Sequence, residues 1–173
     1  MMADFGHSKT RLMAVTGIMI ALTTIFTAYI FHIPVGMNGG YVHFGDSIIY
    51  IAAAILPTPY AILVGSLGGG LADVLTAPMW TLATVVIKAL IVLPFSYKNQ
   101  YLLSKRNLIA PVISFFISAT GYYIAEMILF GSKTAIIAAF SGSLVQSGGS
   151  ALFFYFAAAA FDRAGVKKII YQV

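Results

Sequence analysis

Long apolar runs, separated by short stretches rich in proline, glycine or charge, make up most of the chain. They fall at about 11–31, 46–56, 59–77, 80–97, 108–130 and 134–161. A helix needs roughly 20 apolar residues to cross the hydrocarbon layer, and only the second run is clearly short for that. It ends at Pro57-Thr58-Pro59. Proline cannot continue a helix and biases the residue before it away from helical geometry. The second and third runs are therefore predicted to form a tight helical hairpin, with the second starting below the membrane surface. Residues 32–45 carry a proline and four glycines and read as a long loop. The pattern predicts an all-α membrane protein: one compact transmembrane domain over 1–173, built of about six helices.

Composition supports the membrane reading. Hydrophobic residues are 60% of the chain and charged residues 9%, against about a quarter charged in soluble domains. Such a surface in water would be one apolar patch after another. The first run is too long for the apolar core of a cleavable signal peptide. Cysteine is absent, which excludes disulfides and thiolate chemistry.

The net charge of +5 is accounted for by topology. Lys9 and Arg11 precede the first run, Lys98, Lys105 and Arg106 lie between the fourth and fifth, and Arg163, Lys167 and Lys168 follow the sixth. With an even number of crossings these eight cations share one side. Lys133 alone lies on the other, and Lys88 is inside a helix. Cations concentrate in cytoplasmic loops, so both termini are expected in the cytoplasm of a multi-pass cell-membrane protein. No basic footprint is left for nucleic acid. The loop 32–45 and the turns at 77–79 and 131–133 are then expected outside.

The informative positions are the polar ones within apolar runs. Asp46 opens the second helix, where a carboxylate suits the free N–H groups of a cap. Asp73, near the outer end of the third helix, and Glu126, about a turn below the outer end of the fifth, also lie in the outer third. Lys88, eight residues beyond Trp80, is about 12 Å deep at 1.5 Å per residue. A charge there costs roughly 2.5–3.5 kcal/mol on insertion scales, so Lys88 must face the interior and find a partner, with Asp73 and Glu126 the candidates. The pair either serves a ligand or only fixes packing.

Tyr122 and Glu126, four residues apart, share a helix face, and a phenol beside a carboxylate suits a flat heterocycle that donates hydrogen bonds. An interfacial aromatic belt is the plainer alternative. Gln146, near mid-membrane, needs a partner for its amide, and Ser143 lies on its face. Trp80 is either a membrane anchor or a lid, and His43 and Tyr41 stand in the long loop. On the first helix Ala14, Gly17, Ala21, Thr24 and Ala28 form a stripe of small residues that permits close helix approach, either within the bundle or to a separate membrane partner. There is no Walker A sequence, zinc-binding His-Glu-x-x-His or Gly-x-Ser-x-Gly elbow. His7, His32 and His43 are too scattered for a metal cluster, and no cofactor is expected. The glycines from Gly65 to Gly70 mark close packing.

Several of these stretches together resemble a known family. Tyr41-Val42-His43-Phe44-Gly45-Asp46, Leu56-Pro57-x-Pro59-Tyr60-Ala61, Val64-Gly65-Ser66-Leu67-Gly68-Gly69-Gly70-Leu71-Ala72-Asp73, Thr84-x-x-Ile87-Lys88-Ala89-Leu90, Gly121-Tyr122-Tyr123-x-x-Glu126 and Gln146-x-x-Gly149 resemble, in order and spacing, the S components of energy-coupling factor (ECF) transporters. The resemblance implies a six-helix subunit that captures a water-soluble vitamin from outside and docks onto a module of one membrane scaffold and two ATPases. It implies ligand contacts at His43, Trp80, Lys88, Tyr122, Glu126 and Gln146, a gating loop at 32–45, and docking through Ala14, Gly17, Ala21 and Ala28. The chain looks nearest the group for hydroxymethylpyrimidine or pyridoxine, with pantothenate and riboflavin left open. An intramembrane enzyme using Asp73 and Glu126 as acid and base, or a structural subunit without a ligand, are the rival readings.

Overall fold

The computed structural model describes residues 9–30, 32–35, 40–131 and 135–171. Asp4, His7, Lys133 and the tip of the long loop at 36–39 lie outside the described residues. Seven α-helices are found among the described residues: α1 (Lys9–Ala28), α2 (Gly45–Ile55), α3 (Thr58–Thr76), α4 (Thr81–Leu90), α5 (Lys105–Phe130), α6 (Ala135–Ala164) and α7 (Val166–Tyr171). Four of them, α1, α3, α5 and the Ala139–Ala164 part of α6, are long and apolar enough to cross a membrane. The segments Gly45–Ile55 and Pro78–Leu90 are apolar but shorter.

The predicted long loop holds a small ribbon. Strand β1 (Ile33–Val35) pairs antiparallel with β2 (Gly40–Val42), Pro34 opposite Tyr41. The fourth helix is expected over 80–97 but stops at Leu90, and residues 91–94 form a turn that ends at Pro94. Proline removes one N–H and disfavours helical geometry at Leu93. The carbonyls left over are taken up nearby: Ser114 donates to Ile91 O at 2.9 Å, and Arg106 donates to Leu93 O at 2.9 Å and to Pro94 O at 2.7 Å. Helix α5 starts at Lys105 instead of 108 because Ser104 caps it, its side chain accepting from Asn107 N. At its other end Gly131 adopts φ 62°, the left-handed conformation that glycine allows at a helix terminus.

The layout is a ring around one helix. Packing runs from α1 to α3, α3 to α4, α4 to α5 and α5 to α6, and Phe26 meets Phe153 edge-on to bring α1 and α6 together. Helix α2 lies inside, against α1, α3 and α6, and every residue from Gly45 to Ile55 is buried. Tyr50 stacks on Phe95 at 4.9 Å, and both meet Phe154 edge-on. The ring turns its apolar side outwards, with Leu82 83% and Phe156 and Ile128 78% exposed. Only a lipid environment makes that arrangement favourable, since side chains on such a face meet hydrocarbon and not water.

Eleven residues at 1.5 Å each give α2 a length of about 16 Å, about half of the roughly 30 Å core. Its last carbonyls therefore end inside the protein, and Pro57 blocks any continuation. The C-terminal segment supplies the donors. Lys167 donates to Ala54 O at 2.9 Å, to Asn99 O at 2.6 Å and to Tyr97 O, while Tyr171 donates to Ile55 O. Burial pushes the Lys167 ammonium down to about 8, and each of its three N–H bonds finds a carbonyl. Arg11 reaches the carbonyls of Ile169 and Ile170, and Asp162 accepts from the N–H groups of Leu102 and Leu103. The start of α1, the end of α2, the 91–104 connection and α7 thus meet at one end of the bundle, the end rich in cations.

Glycines let α3 take two neighbours closely. A Cβ at Gly65 would run into the Lys88 carbonyl, one at Gly69 would come 2.9 Å from Lys88 Cγ, and one at Gly68 would meet Thr23 of α1. Gly65→Ala is expected to destabilise the protein by about 1–3 kcal/mol through overpacking, read as a lower Tm in detergent. Gly17→Ala, where a Cβ meets nothing within 4 Å, should leave Tm unchanged; equal effects would refute the close α3–α4 approach. Lys167→Met leaves three carbonyls without their donor and should cost about 1–3 kcal/mol. A Tm as high as that of the unaltered protein would mean that α7 does not cap α2.

Candidate functional site

Asp46 stands in the first turn of α2, directly after the ribbon, and Lys88 in the last turn of α4. The two meet. Lys88 Nζ lies 2.6 Å from Asp46 Oδ1 and donates to Oδ2 at 2.8 Å. Gln146 of α6 donates through Nε2 to the same Oδ2, also at 2.8 Å. Side chains of α4 and α6 therefore converge on one carboxylate of α2, with Lys88 and Asp46 only 1% and 0% exposed.

The sequence pointed to Asp73 or Glu126 as the partner of Lys88 and to Asp46 as a helix cap. Both expectations are corrected. Phe44 holds the capping position without any side-chain cap bond, and Asp46 lies inside the helix. The reason is depth: α2 begins within the bundle, so its first turn is level with a lysine two turns down α4. A negative side chain in the first turn also complements the helix dipole. Asp73 is buried and within electrostatic reach of Lys88 and Tyr122.

An aromatic wall adjoins the pair. Tyr122 OH is 3.1 Å from Thr84 Oγ1, and Lys88 Nζ sits 5.5 Å from the centre of the Tyr122 ring. Trp80 meets Tyr122 edge-on at 6.0 Å and lies tilted against Phe130 at 5.7 Å. At 7% exposure Trp80 is packed into this wall, which is not how an anchor in the lipid interface would sit. His43 is buried at the foot of the ribbon, where Gly45 N donates to its Nδ1 at 2.9 Å, and it lies within electrostatic reach of Asp46 and Lys88. That bond makes Nδ1 the unprotonated nitrogen. Glu126 is buried one turn beyond Tyr122 on α5.

The geometry thus gathers Trp80, Lys88, Tyr122 and Gln146, with His43 close by, and adds two residues that the sequence reading left out of the site, Asp46 and Thr84. Thr84 was legible in principle, four residues before Lys88 on the same face of α4. Asp46 would have followed from the short α2 starting low in the membrane. Four helices and the ribbon's foot present a carboxylate, an ammonium, an amide, a phenol and an indole within an apolar ring. Such a set can hold a flat, polar heterocycle by stacking and hydrogen bonding. Among the described residues there is no group of His, Asp and Glu able to hold a metal ion.

The small-residue stripe of α1 divides. Ala14, Gly17 and Ala21 are exposed, whereas Thr24 donates to Gly68 O of α3 at 3.0 Å and Ala28 is 5% exposed. An α-helix drifts by about 20° per heptad against a spacing of alternating three and four. Over two heptads that turns Ala28 into the bundle and removes it from the outward face.

Breaking one side of a buried ion pair costs about 3–5 kcal/mol, because the remaining charge is stranded. Lys88→Met should therefore lower the Tm of ligand-free protein strongly. Adding Asp46→Asn removes the stranded charge and still offers Gln146 an acceptor, so the double variant should be the more stable of the two. A Lys88→Met protein at least as stable as the double variant would refute a dry ion pair.

A family model described as "ECF-type riboflavin transporter, S component" matches residues 7–162. A Pyrococcus woesei protein described as "Uncharacterized protein in gap 3'region" is 32% identical over 124 residues, covering 70% of this chain and 82% of that protein. The matched stretch runs from before α1 through most of α6 and takes in all the converging side chains. The chain belongs to the ECF-type riboflavin transporter S component family.

Proposed function

We propose that this protein is the substrate-capture subunit of an ATP-driven importer, binding a small water-soluble vitamin at the ribbon end of the bundle. The observation that carries the reading is the Asp46–Lys88–Gln146 cluster beside Trp80 and Tyr122, sunk into an apolar ring. Charged groups inside a membrane are costly and are kept where they serve a polar solute or an ion path. A family whose name is that of a vitamin transporter component supplies the solute class.

The orientation follows from the cations. Lys98, Lys105, Arg106, Arg163, Lys167 and Lys168 belong with the start of α1 at the end tied by Arg11 and Lys167, which by the positive-inside rule is cytoplasmic. Six crossings, with α2 and α4 the short ones, then place both termini inside and the ribbon outside. The ribbon gates the site, and Trp80, Tyr122, Glu126 and Gln146 hold the ligand with His43 at the gate's foot. The exposed Ala14, Gly17 and Ala21 face meets the scaffold subunit, whose two ATPases provide the energy.

Riboflavin is the first ligand to test, since the family carries its name. Hydroxymethylpyrimidine and pyridoxine are smaller heterocycles with ring nitrogens and hydroxymethyl groups, and the same donors and acceptors suit them. The family's name is that of a transporter component, which favours capture over acid–base catalysis by Asp73 and Glu126.

A thermal-shift screen of detergent-purified protein with riboflavin, pyridoxine and hydroxymethylpyrimidine should show one clear stabilisation. Glu126→Ala should weaken that ligand more than tenfold, and unchanged affinity would remove Glu126 from the site. Uptake into vesicles should require the ATPase module. Robust transport by the isolated chain would overturn a pure capture role.

A further inference from the structure

The buried ion pair does more than neutralise charge: it decides which end of the Gln146 amide is available. An ionised carboxylate can only accept hydrogen bonds. Gln146 stands 2.8 Å from Asp46 Oδ2, so its nitrogen has to face Asp46; turned over, two acceptor oxygens would confront each other at that distance. Amide orientation is normally a matter of assignment from the surrounding bonds, and here the surroundings leave one choice. Lys88 enforces it, because its ammonium on both oxygens of Asp46 keeps that carboxylate ionised. The carbonyl Oε1 is consequently directed away from Asp46. It has no hydrogen-bond partner among the described residues, and Gln146 as a whole is 7% exposed. An acceptor turned away from the ion pair, with no partner of its own among the described residues, is one that a ligand donor can satisfy.

We propose that Gln146 is the specificity-determining residue of the site, that its Oε1 accepts a hydrogen bond from a donor on the ligand, and that Asp46 and Lys88 are positioning residues that fix this polarity. The inference rests on the capture reading above and narrows its substrate class. The ligand presents an N–H or O–H group to α6, and an analogue with that donor blocked is rejected. It also reassigns Lys88, whose ammonium is engaged by Asp46 and stacked near Tyr122, from ligand contact to support.

The probes are riboflavin, 3-methylriboflavin, in which the ring imide N–H is blocked, and lumiflavin, which lacks the hydroxylated side chain. Affinities are measured by flavin fluorescence on detergent-purified protein. If the thermal screen selects pyridoxine or hydroxymethylpyrimidine, that compound and its O-methyl ethers take their place. In the unaltered protein one blocked analogue should bind at least tenfold more weakly than the parent. In Gln146→Met, which has similar length and no acceptor, that ratio should fall to within about threefold. Asp46→Asn can pair with either end of the amide, so it should also reduce the ratio. The ratio is taken within each variant, so loss of folded protein cancels, and if Asp46→Asn does not fold the Gln146→Met ratio decides. Discrimination that survives Gln146→Met, or parent and blocked analogues that bind equally to the unaltered protein, would overturn the proposal while leaving capture intact. Binding of no member of either series would sink the capture reading and this inference with it.

Discussion

An ammonium group placed two turns down an apolar helix has no water to solvate it, so the protein around it must supply a counter-charge at hydrogen-bonding distance. Asp46 does so, and much of the architecture is arranged to allow it. The carboxylate has to be level with Lys88, which requires α2 to begin inside the bundle. Helix α3 has to let α4 come close enough for Lys88 to point inwards, which requires Gly65 and Gly69. Gly45, at the start of α2, is equally confined, since a Cβ there would strike Thr27. The pair is thus a meeting point for α2, α3, α4 and α6 as much as a chemical group.

A helix that starts low must also end early or protrude, and α2 ends at Ile55 with its carbonyls still buried. The short α7 answers that need with Lys167 and Tyr171. The two ends of the molecule therefore have different characters. One is a clasp of backbone carbonyls held by cationic and phenolic donors from the C-terminal segment. The other is a cluster in which side chains bond to side chains, beside a two-stranded ribbon. Carbonyls held by several donors resist rearrangement, whereas a lone two-stranded ribbon is marginally stable by itself. Local stability of that kind is uneven across many proteins, with binding segments drawn from the weaker end.

Much of this was legible in the sequence, because hydropathy registers what lipid demands of every residue facing it. The α2–α3 hairpin at Pro57–Pro59, the packing role of the Gly65–Gly70 run and the interior position of Lys88 follow from apolar runs, prolines and the cost of charge. The end of α4 at Leu90 was missed because the run 80–97 is mostly apolar and hydropathy does not separate helix from turn, although Pro94 within it was a signal. The partner of Lys88 was hidden for a different reason. Sequence gives depth along each helix from its own ends, and an error in the starting level of one helix misaligns every cross-helix pair. Asp46 read as a cap, although α2 was expected to begin below the surface, because a carboxylate at the first residue of a helix suits its free N–H groups. Ala28 was misplaced by the angular drift that separates a three-four spacing from the true helical repeat.

If Gln146 meets the ligand as proposed, its amide makes a structural ion pair and a binding group parts of one device. Read as packing alone, Asp46–Lys88 is an expensive way to join helices, since apolar residues of similar volume commonly do as well or better. Read as ligand contacts alone, the two charges largely satisfy each other and offer a solute little. The cost becomes intelligible if the pair acts on a third group. A carboxylate held ionised by an ammonium is an acceptor that does not switch, and an amide against it becomes a carbonyl that does not turn. A neutral partner such as asparagine would hold Gln146 in place but leave its orientation to the ligand, and a site that adapts its polarity to whatever arrives discriminates poorly. Fixing one dipole by two buried charges gives a recognition group whose hydrogen-bonding sense is set before the ligand enters.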